Sequence, residues 1–141
     1  MKIRLAACFF LLTVFLMLTV PVSARSSSHP AKQADVSDPG YVLALAAANH
    51  FLHAWQTGDV ENGMVLLSDH IRRTQNPDQL EEFFSTGQDR AFEITRGHGR
   101  PGRYSFPVVL VTSRGARVTR KFSEIILVET GKNDWVVDKL P

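Results

Sequence analysis

Cysteine occurs once in the 141 residues, at Cys8. Cys8 lies in an N-terminal segment that we expect to be removed, which leaves no thiol for a disulfide, a metal site or a nucleophile. The sequence also lacks the G-x-S-x-G, H-E-x-x-H, P-loop and EF-hand spacings, and no Asn is followed two positions later by Ser or Thr. These absences argue against the enzyme and binding classes that use those motifs, and against N-glycosylation.

Titratable residues at positions expected to face an apolar interior are few. Glu93 is expected on the outer face of its strand, whereas Glu124 shares the even-numbered face of its strand with Ile126, which would place it inside. A buried Glu124 beside Arg120 is more often part of a structural ion pair than a catalyst. The sequence therefore predicts no catalytic residue.

Potential metal ligands are also sparse. His50 and His53 are three residues apart in a helical pattern, a spacing that permits shared coordination of a metal. Both are expected to face away from the apolar stripe of that helix, and no carboxylate follows at ligand spacing. The sequence predicts a solvated surface here, with no metal site and no cofactor.

The N-terminus has the three parts of an export signal. A basic start is followed by an apolar run over residues 5–20 and by the sequence PVSA at 21–24. This pattern predicts a signal peptide cleaved after Ala24, and hence a periplasmic or secreted protein. The alternative is that residues 5–22 are retained as a membrane anchor, since they approach the shortest length that spans a bilayer. Only that alternative predicts contact with a membrane.

The rest of the chain divides into a tail and one domain. Residues 25–37 are polar and aperiodic, which is typical of a flexible linker. Residues 38–141 suit a single domain with one core. Without residues 1–24 the chain has 14 basic and 14 acidic residues, so its overall charge gives no case for a nucleic-acid partner.

Three helices are predicted in the first half of this domain. The first begins with Asp38 as N-cap and Pro39 in the first turn, and ends at Gly58. A short second helix follows Asp59, and a third follows Asn76. The apolar stripe of the first helix consists of Tyr41, Leu45, Ala48, Leu52 and Trp55.

In the second half the apolar period changes to two. Strands are predicted over 91–96, 104–113, 117–130 and 135–140. The short links between them leave no room for crossover helices, so the sheet is expected to be an antiparallel meander. Helices followed by strands indicate an α+β fold, with the helices packed on one face of a curved four-stranded antiparallel sheet. The third strand is apolar on both faces over 125–128, which indicates a curved sheet or a dimer interface.

The stretch RGHGRPGR at 96–103 contains a G-x-G-x-x-G register. That fingerprint binds a dinucleotide only where a helix N-terminus follows it, and here a strand follows. Pro101 also removes one backbone N–H from any cradle. Dinucleotide binding is therefore not predicted.

Three arginines surround these glycines: Arg96, Arg100 and Arg103. Two interpretations remain for them. They form either an anion-binding loop or the solvated tip of a hairpin, and charges at hairpin tips usually serve solubility.

An ordered set of segments resembles a known superfamily. FLHAWQTGD at 51–59, VLLSDHIR at 65–72 and DWVVDKL at 134–140 occur in the order seen in the nuclear-transport-factor-2-like superfamily, in its small secreted bacterial branch. The resemblance implies a cone-shaped, cystatin-like fold in which a bent sheet wraps the long first helix and often leaves a pocket. It implies dimerisation through the open sheet face, and its members include both enzymes and non-catalytic binding domains.

These observations lead to one main functional prediction and two alternatives. The main prediction is an exported, non-enzymatic binding or assembly module that holds an apolar small molecule between the first helix and the sheet. The alternatives are an isomerase- or hydrolase-type enzyme in the same pocket, and a binder of an anionic envelope polymer through residues 96–103. The residues predicted to line the pocket are Tyr41, Leu45, Leu52, Trp55, Phe83, Phe92, Phe106 and Trp135.

Overall fold

The computed structural model describes residues 35–85 and 89–141. The predicted signal peptide and most of the predicted linker lie outside the described residues. The described part contains four helices and five strands. These are α1 (Pro39–Thr57), α2 (Val60–Val65), α3 (Asp69–Thr74), α4 (Pro77–Phe84), β1 (Asp89–Ile94), β2 (His98–Arg100), β3 (Arg103–Arg114), β4 (Arg117–Gly131) and β5 (Asp134–Lys139).

The limits of α1 are determined by its caps. The Asp38 side chain accepts a hydrogen bond from the Gly40 N–H at 3.0 Å, and Pro39 occupies the first turn. At the other end Gly58 has φ 76° and its N–H donates to the Ala54 carbonyl. Both predicted ends of the first helix are confirmed.

The helix α3 was not predicted as a separate element. It begins where the Ser68 hydroxyl accepts a hydrogen bond from the Ile71 N–H at 3.2 Å. Just before it, Leu67 forms a parallel bridge with Val137, which covers part of the edge of β5. The predicted count of three helices is therefore corrected to four.

The sheet is antiparallel, with the order β1-β3-β4-β5, and β2 also pairs with β3. Together β1 and β2 form one edge of the sheet, interrupted at residues 95–97, so the predicted four-stranded meander is found with its first strand in two parts. The predicted loop at 96–103 is corrected accordingly: it contains β2, and its turn is reduced to Pro101 and Gly102.

The core lies between α1 and one face of this sheet, which we call the inner face. Phe106 pairs with Ile125 and Tyr104 with Leu127, and all four side chains are buried. Register shifts between β4 and β5 add bending to the sheet. The predicted α+β class with a curved antiparallel sheet is confirmed.

The predicted inward position of Glu124 is wrong. The inner face of β4 carries the odd-numbered Ile125 and Leu127, because these pair with the buried even-numbered residues of β3. Glu124 therefore lies on the opposite face, which we call the outer face, with 34% of its side chain exposed. The alternation of side chains alone did not show which face of this strand is buried, and the register with β3 decides it.

Candidate functional site

Aromatic rings pack against one another between α1 and the sheet. The ring centroid of Tyr41 lies 5.5 Å from that of Tyr104 and 5.4 Å from that of Phe106, and Trp135 packs on Tyr104 at 5.5 Å. Of the eight residues predicted to line a pocket, Tyr41, Leu52, Phe106 and Trp135 are buried within this packing.

A cavity of about 270 Å³ lies at one end of the inner face. Trp55 and Phe83 are the two predicted pocket residues that border it, whereas Leu45 and Phe92 are half-buried against the core elsewhere. The residues that line this cavity include no Asp, Glu or His. They are Trp55, Phe83, Leu110, Thr112, Thr119 and Lys121.

The aromatic interior is joined to the start of α1 by a hydrogen bond. The Tyr104 hydroxyl donates to the Asp38 carboxylate, the same group that caps α1. Burial and this hydrogen bond raise the pKa of Tyr104 to about 12. The group acts as a structural donor, since its proton is held more tightly than in an ordinary tyrosine.

The Arg90 side chain caps the C-terminal ends of α1 and α4, which have no basic residue in their own last turns. Its guanidinium donates to the carbonyls of Trp55 at 2.7 Å and Phe84 at 3.1 Å, and also to that of Ser85. It also lies 5.0 Å from the centroid of the Trp55 ring. Burial lowers the pKa of Arg90. A cation at the negative ends of two helix dipoles stabilises both helices, and this structural role explains the position of Arg90.

The glycine register at 97–102 has a packing explanation. A Cβ at Gly97 would lie 2.5 Å from the Phe106 ring and 2.8 Å from the Ser105 carbonyl oxygen. Gly102 has φ 84° in the two-residue turn, and a Cβ added there would meet no atom within 4 Å. The glycines therefore serve close packing and a turn, which accounts for the motif without a dinucleotide.

A second cavity, which we call the hairpin cavity, lies at the turn between β2 and β3. Its volume is about 410 Å³. Of the three arginines predicted as an anion site, Arg100 and Arg103 face each other in register and line it, whereas Arg96 lies before β2 and does not. The lining residues are His98, Gly99, Arg100, Arg103, Tyr104, Ser105 and Ile126. Ser105 was not anticipated, because it belongs to the strand β3 and not to the arginine-rich loop.

Glu124 lies next to this cavity. Its carboxylate is 3.5 Å from His98 Nε2 and 3.2 Å from Lys139 Nζ, so the predicted pairing with Arg120 is replaced by these two partners. The pKa of Glu124 is lowered, chiefly by the nearby Ser105 hydroxyl and then by Lys139. That hydroxyl does not reach hydrogen-bond geometry, and Ser105 Oγ has no partner within the described residues.

A third cavity, of about 560 Å³, lies between the α2–α3 connection and the outer face of β4 and β5. Asp138, which lines this cavity, accepts hydrogen bonds from Ser68 Oγ at 3.0 Å and from Arg103 Nη1 at 3.2 Å. This bonding ties α3 to the sheet and to the β2–β3 hairpin.

The outer face also carries exposed apolar side chains in the first half of β4. Phe122 is 79% exposed and Val118 is 59% exposed, and both project from the face opposite the core. On β3, Val109 pairs with Phe122, and Val111 lies two residues further along. We call Val109, Val111, Val118 and Phe122 the outer patch.

The remaining predicted positions are at the surface. His50 and His53 are both exposed on α1, as expected, and so is Glu93 on β1. Within residues 35–85 and 89–141 no helix is long and apolar enough to cross a membrane.

No protein-family model and no curated protein matches the sequence. Solved structures do match. A SEC-C motif containing protein from Rhodopseudomonas palustris is similar with a TM-score of 0.56 and 10% identity, over 67% of this chain and 73% of that one. An LEH-like epoxide hydrolase from M. tuberculosis is similar with a TM-score of 0.51 and 16% identity, over 71% of this chain and 84% of that one.

Likeness at these identities concerns the fold alone. The likeness agrees with the α+β class that the sequence predicts, with helices packed on a curved antiparallel sheet.

Proposed function

We propose that this domain is a non-enzymatic assembly module that forms a homodimer through its outer face. The observation that supports the proposal is the exposure of Phe122, 79%, in the first half of the longest strand. Single exposed apolar residues are common, but Phe122 adjoins other apolar side chains on two neighbouring strands, and such patches mark interaction sites.

Charge complementarity favours a second copy as the partner. Glu93 on β1 and Arg120 on β4 flank the outer patch on opposite sides of β3. Neither side chain has a hydrogen bond or ion pair in the described part of the chain. In a symmetric dimer with its two-fold axis along β3, β4 of one copy lies over β1 of the other. Arg120 of each copy then comes within reach of Glu93 in its partner.

The experiment is sedimentation velocity on the purified chain and on variants of it. The wild type is expected to be a dimer and Phe122→Ser a monomer, with unchanged circular dichroism because Phe122 lies outside the core. Val42→Ser is the matched control, since Val42 is 53% exposed on α1, which packs against the opposite face of the sheet.

A charge exchange sharpens this test. Glu93→Arg is expected to weaken the dimer, and the double variant Glu93→Arg with Arg120→Glu to restore it. A monomeric wild type, or a dimer that tolerates Phe122→Ser, would rule out the proposed interface.

An enzyme in the cone is the second candidate, and the fold likeness to an epoxide hydrolase favours it. The 270 Å³ cavity offers Lys121 as its titratable group, and the Lys121 amine already donates to the Pro141 carbonyl at 3.2 Å. Turnover of a panel of epoxides that is lost in Lys121→Met would support this candidate. No turnover would remove it for that substrate class.

We also propose export, on the pattern of residues 1–24. Mass spectrometry of the protein recovered from its native host is expected to give Arg25 as the first residue. A retained Met1 in a membrane fraction would favour the anchor over residues 5–22.

A further inference from the structure

We propose that the hairpin cavity binds a small amphiphile that joins an oxyanion, such as a carboxylate, to a short apolar chain. This proposal does not require the dimer: the hairpin cavity lies on the outer face, as the outer patch does, but at a different position along β3. Ser105 and Val109 are four residues apart on that strand, a separation of about 13 Å.

The first argument is unbalanced positive charge. Arg100 and Arg103 are directly opposed across a two-residue turn, and like charges in that position repel each other. Arg103 is partly neutralised by Asp138 at 3.2 Å. Arg100 has no ion pair or hydrogen bond to its side chain within the described residues. An oxyanion between the two guanidinium groups would relieve the repulsion and accept directional hydrogen bonds from both.

The second argument is an unused donor in the cavity wall. Ser105 lines the cavity, and its buried Oγ makes no hydrogen bond of good geometry in the described part of the chain, although the hydroxyl lies near enough to the Glu124 carboxylate to lower the pKa of that group. A buried hydroxyl without a partner is costly, so a ligand that accepts its proton gains from the interaction. His98 is held by Glu124 at 3.5 Å and makes no hydrogen bond with Ser105, so the three residues are not joined as a nucleophile and base.

The third argument concerns the rest of the ligand. Ile126 and Tyr104 also line the cavity, beside the two arginines, and contribute its apolar part. A volume of about 410 Å³ is at the small end of the range for organic ligands. These features favour a short amphiphile over a free inorganic anion or a bare hydrocarbon.

The experiment is isothermal titration calorimetry of the full chain with octanoate, octanol and inorganic phosphate. Octanoate is expected to bind at least about 10-fold more tightly than either of the others, because only octanoate uses both ends of the cavity. Equal affinity for octanoate and octanol would overturn the role of the arginines. Equal affinity for octanoate and phosphate would overturn the amphiphile.

Variants locate the site. Arg100→Gln is expected to weaken octanoate binding about 10-fold, the usual effect of one lost charge-assisted hydrogen bond, and Ser105→Ala to weaken it by a smaller factor. Arg114→Gln is the matched control, because Arg114 opposes Arg117 at the next turn and lines none of the three cavities described above. Octanoate binding that is unchanged in Arg100→Gln, or reduced as much in Arg114→Gln, would refute the proposal.

Discussion

Replacing Gly97 by alanine tests the packing explanation of the glycine register. The added Cβ would lie 2.5 Å and 2.6 Å from two carbons of the Phe106 ring, whereas carbon atoms in contact are normally about 3.5–4.0 Å apart. A movement of roughly 1 Å is therefore needed. Phe106 is fully buried and packed on Tyr41, so its ring has no free space to enter.

The cost of Gly97→Ala follows from these contacts. Overpacking a core costs about 1–3 kcal/mol. If the backbone moves instead, the hydrogen bond from the Gly97 N–H to Tyr41 Oη at 3.1 Å is weakened, which adds about 1 kcal/mol. We therefore expect a loss of about 2–3 kcal/mol in the free energy of unfolding, measured by urea denaturation followed by circular dichroism.

Two further variants separate steric conflict from backbone strain. Gly102→Ala meets no atom within 4 Å but has φ 84°, so it should cost only about 1 kcal/mol. Phe106→Leu makes room for the new Cβ. The double variant with Gly97→Ala should therefore lose less free energy of unfolding than the sum of the losses in the two single variants. The reasoning is refuted if Gly97→Ala is as stable as the wild type, or if the losses of the two single variants simply add in the double variant.

Three other outcomes are expected. Tyr104→Phe should cost about 1–2 kcal/mol at pH 7 through the lost bond to Asp38. Because the folded pKa of Tyr104 is raised to about 12 from 10.0, its stabilisation is fully present below pH 10 and is lost as pH rises toward 12. Unfolding measured across that range should therefore show a smaller alkaline loss in the variant. Arg90→Met should cost about 2–4 kcal/mol by thermal denaturation, since two helix ends and a ring contact are lost, and Arg90→Lys should recover only part of this. Ser68→Ala should cost about 1–2 kcal/mol and speed hydrogen exchange in α3, because Ser68 caps that helix and bonds Asp138; unchanged exchange would contradict this role of the cap.

Local chemistry was enough to predict the long elements. Asp38, Pro39 and Gly58 act within one turn of chain, so their roles in α1 were readable before any tertiary contact was known. The change of period from helix to strand likewise predicted the sheet and the α+β class. The strand β2 was missed because three residues carry no measurable period, and α3 was not separated from the second predicted helix.

The candidate sites depended on contacts between distant residues. The sequence alone determined that the third predicted strand has two apolar faces and that arginines surround a glycine-rich turn. Only the register of β3 with β4 decided that Glu124 and Phe122 point away from the core and that Arg100 opposes Arg103 beside Ser105. Side chains alternate between the two faces of a strand, so a shift of the register by one residue exchanges the buried and exposed faces. The register is determined by packing between strands, which the sequence of one strand does not show.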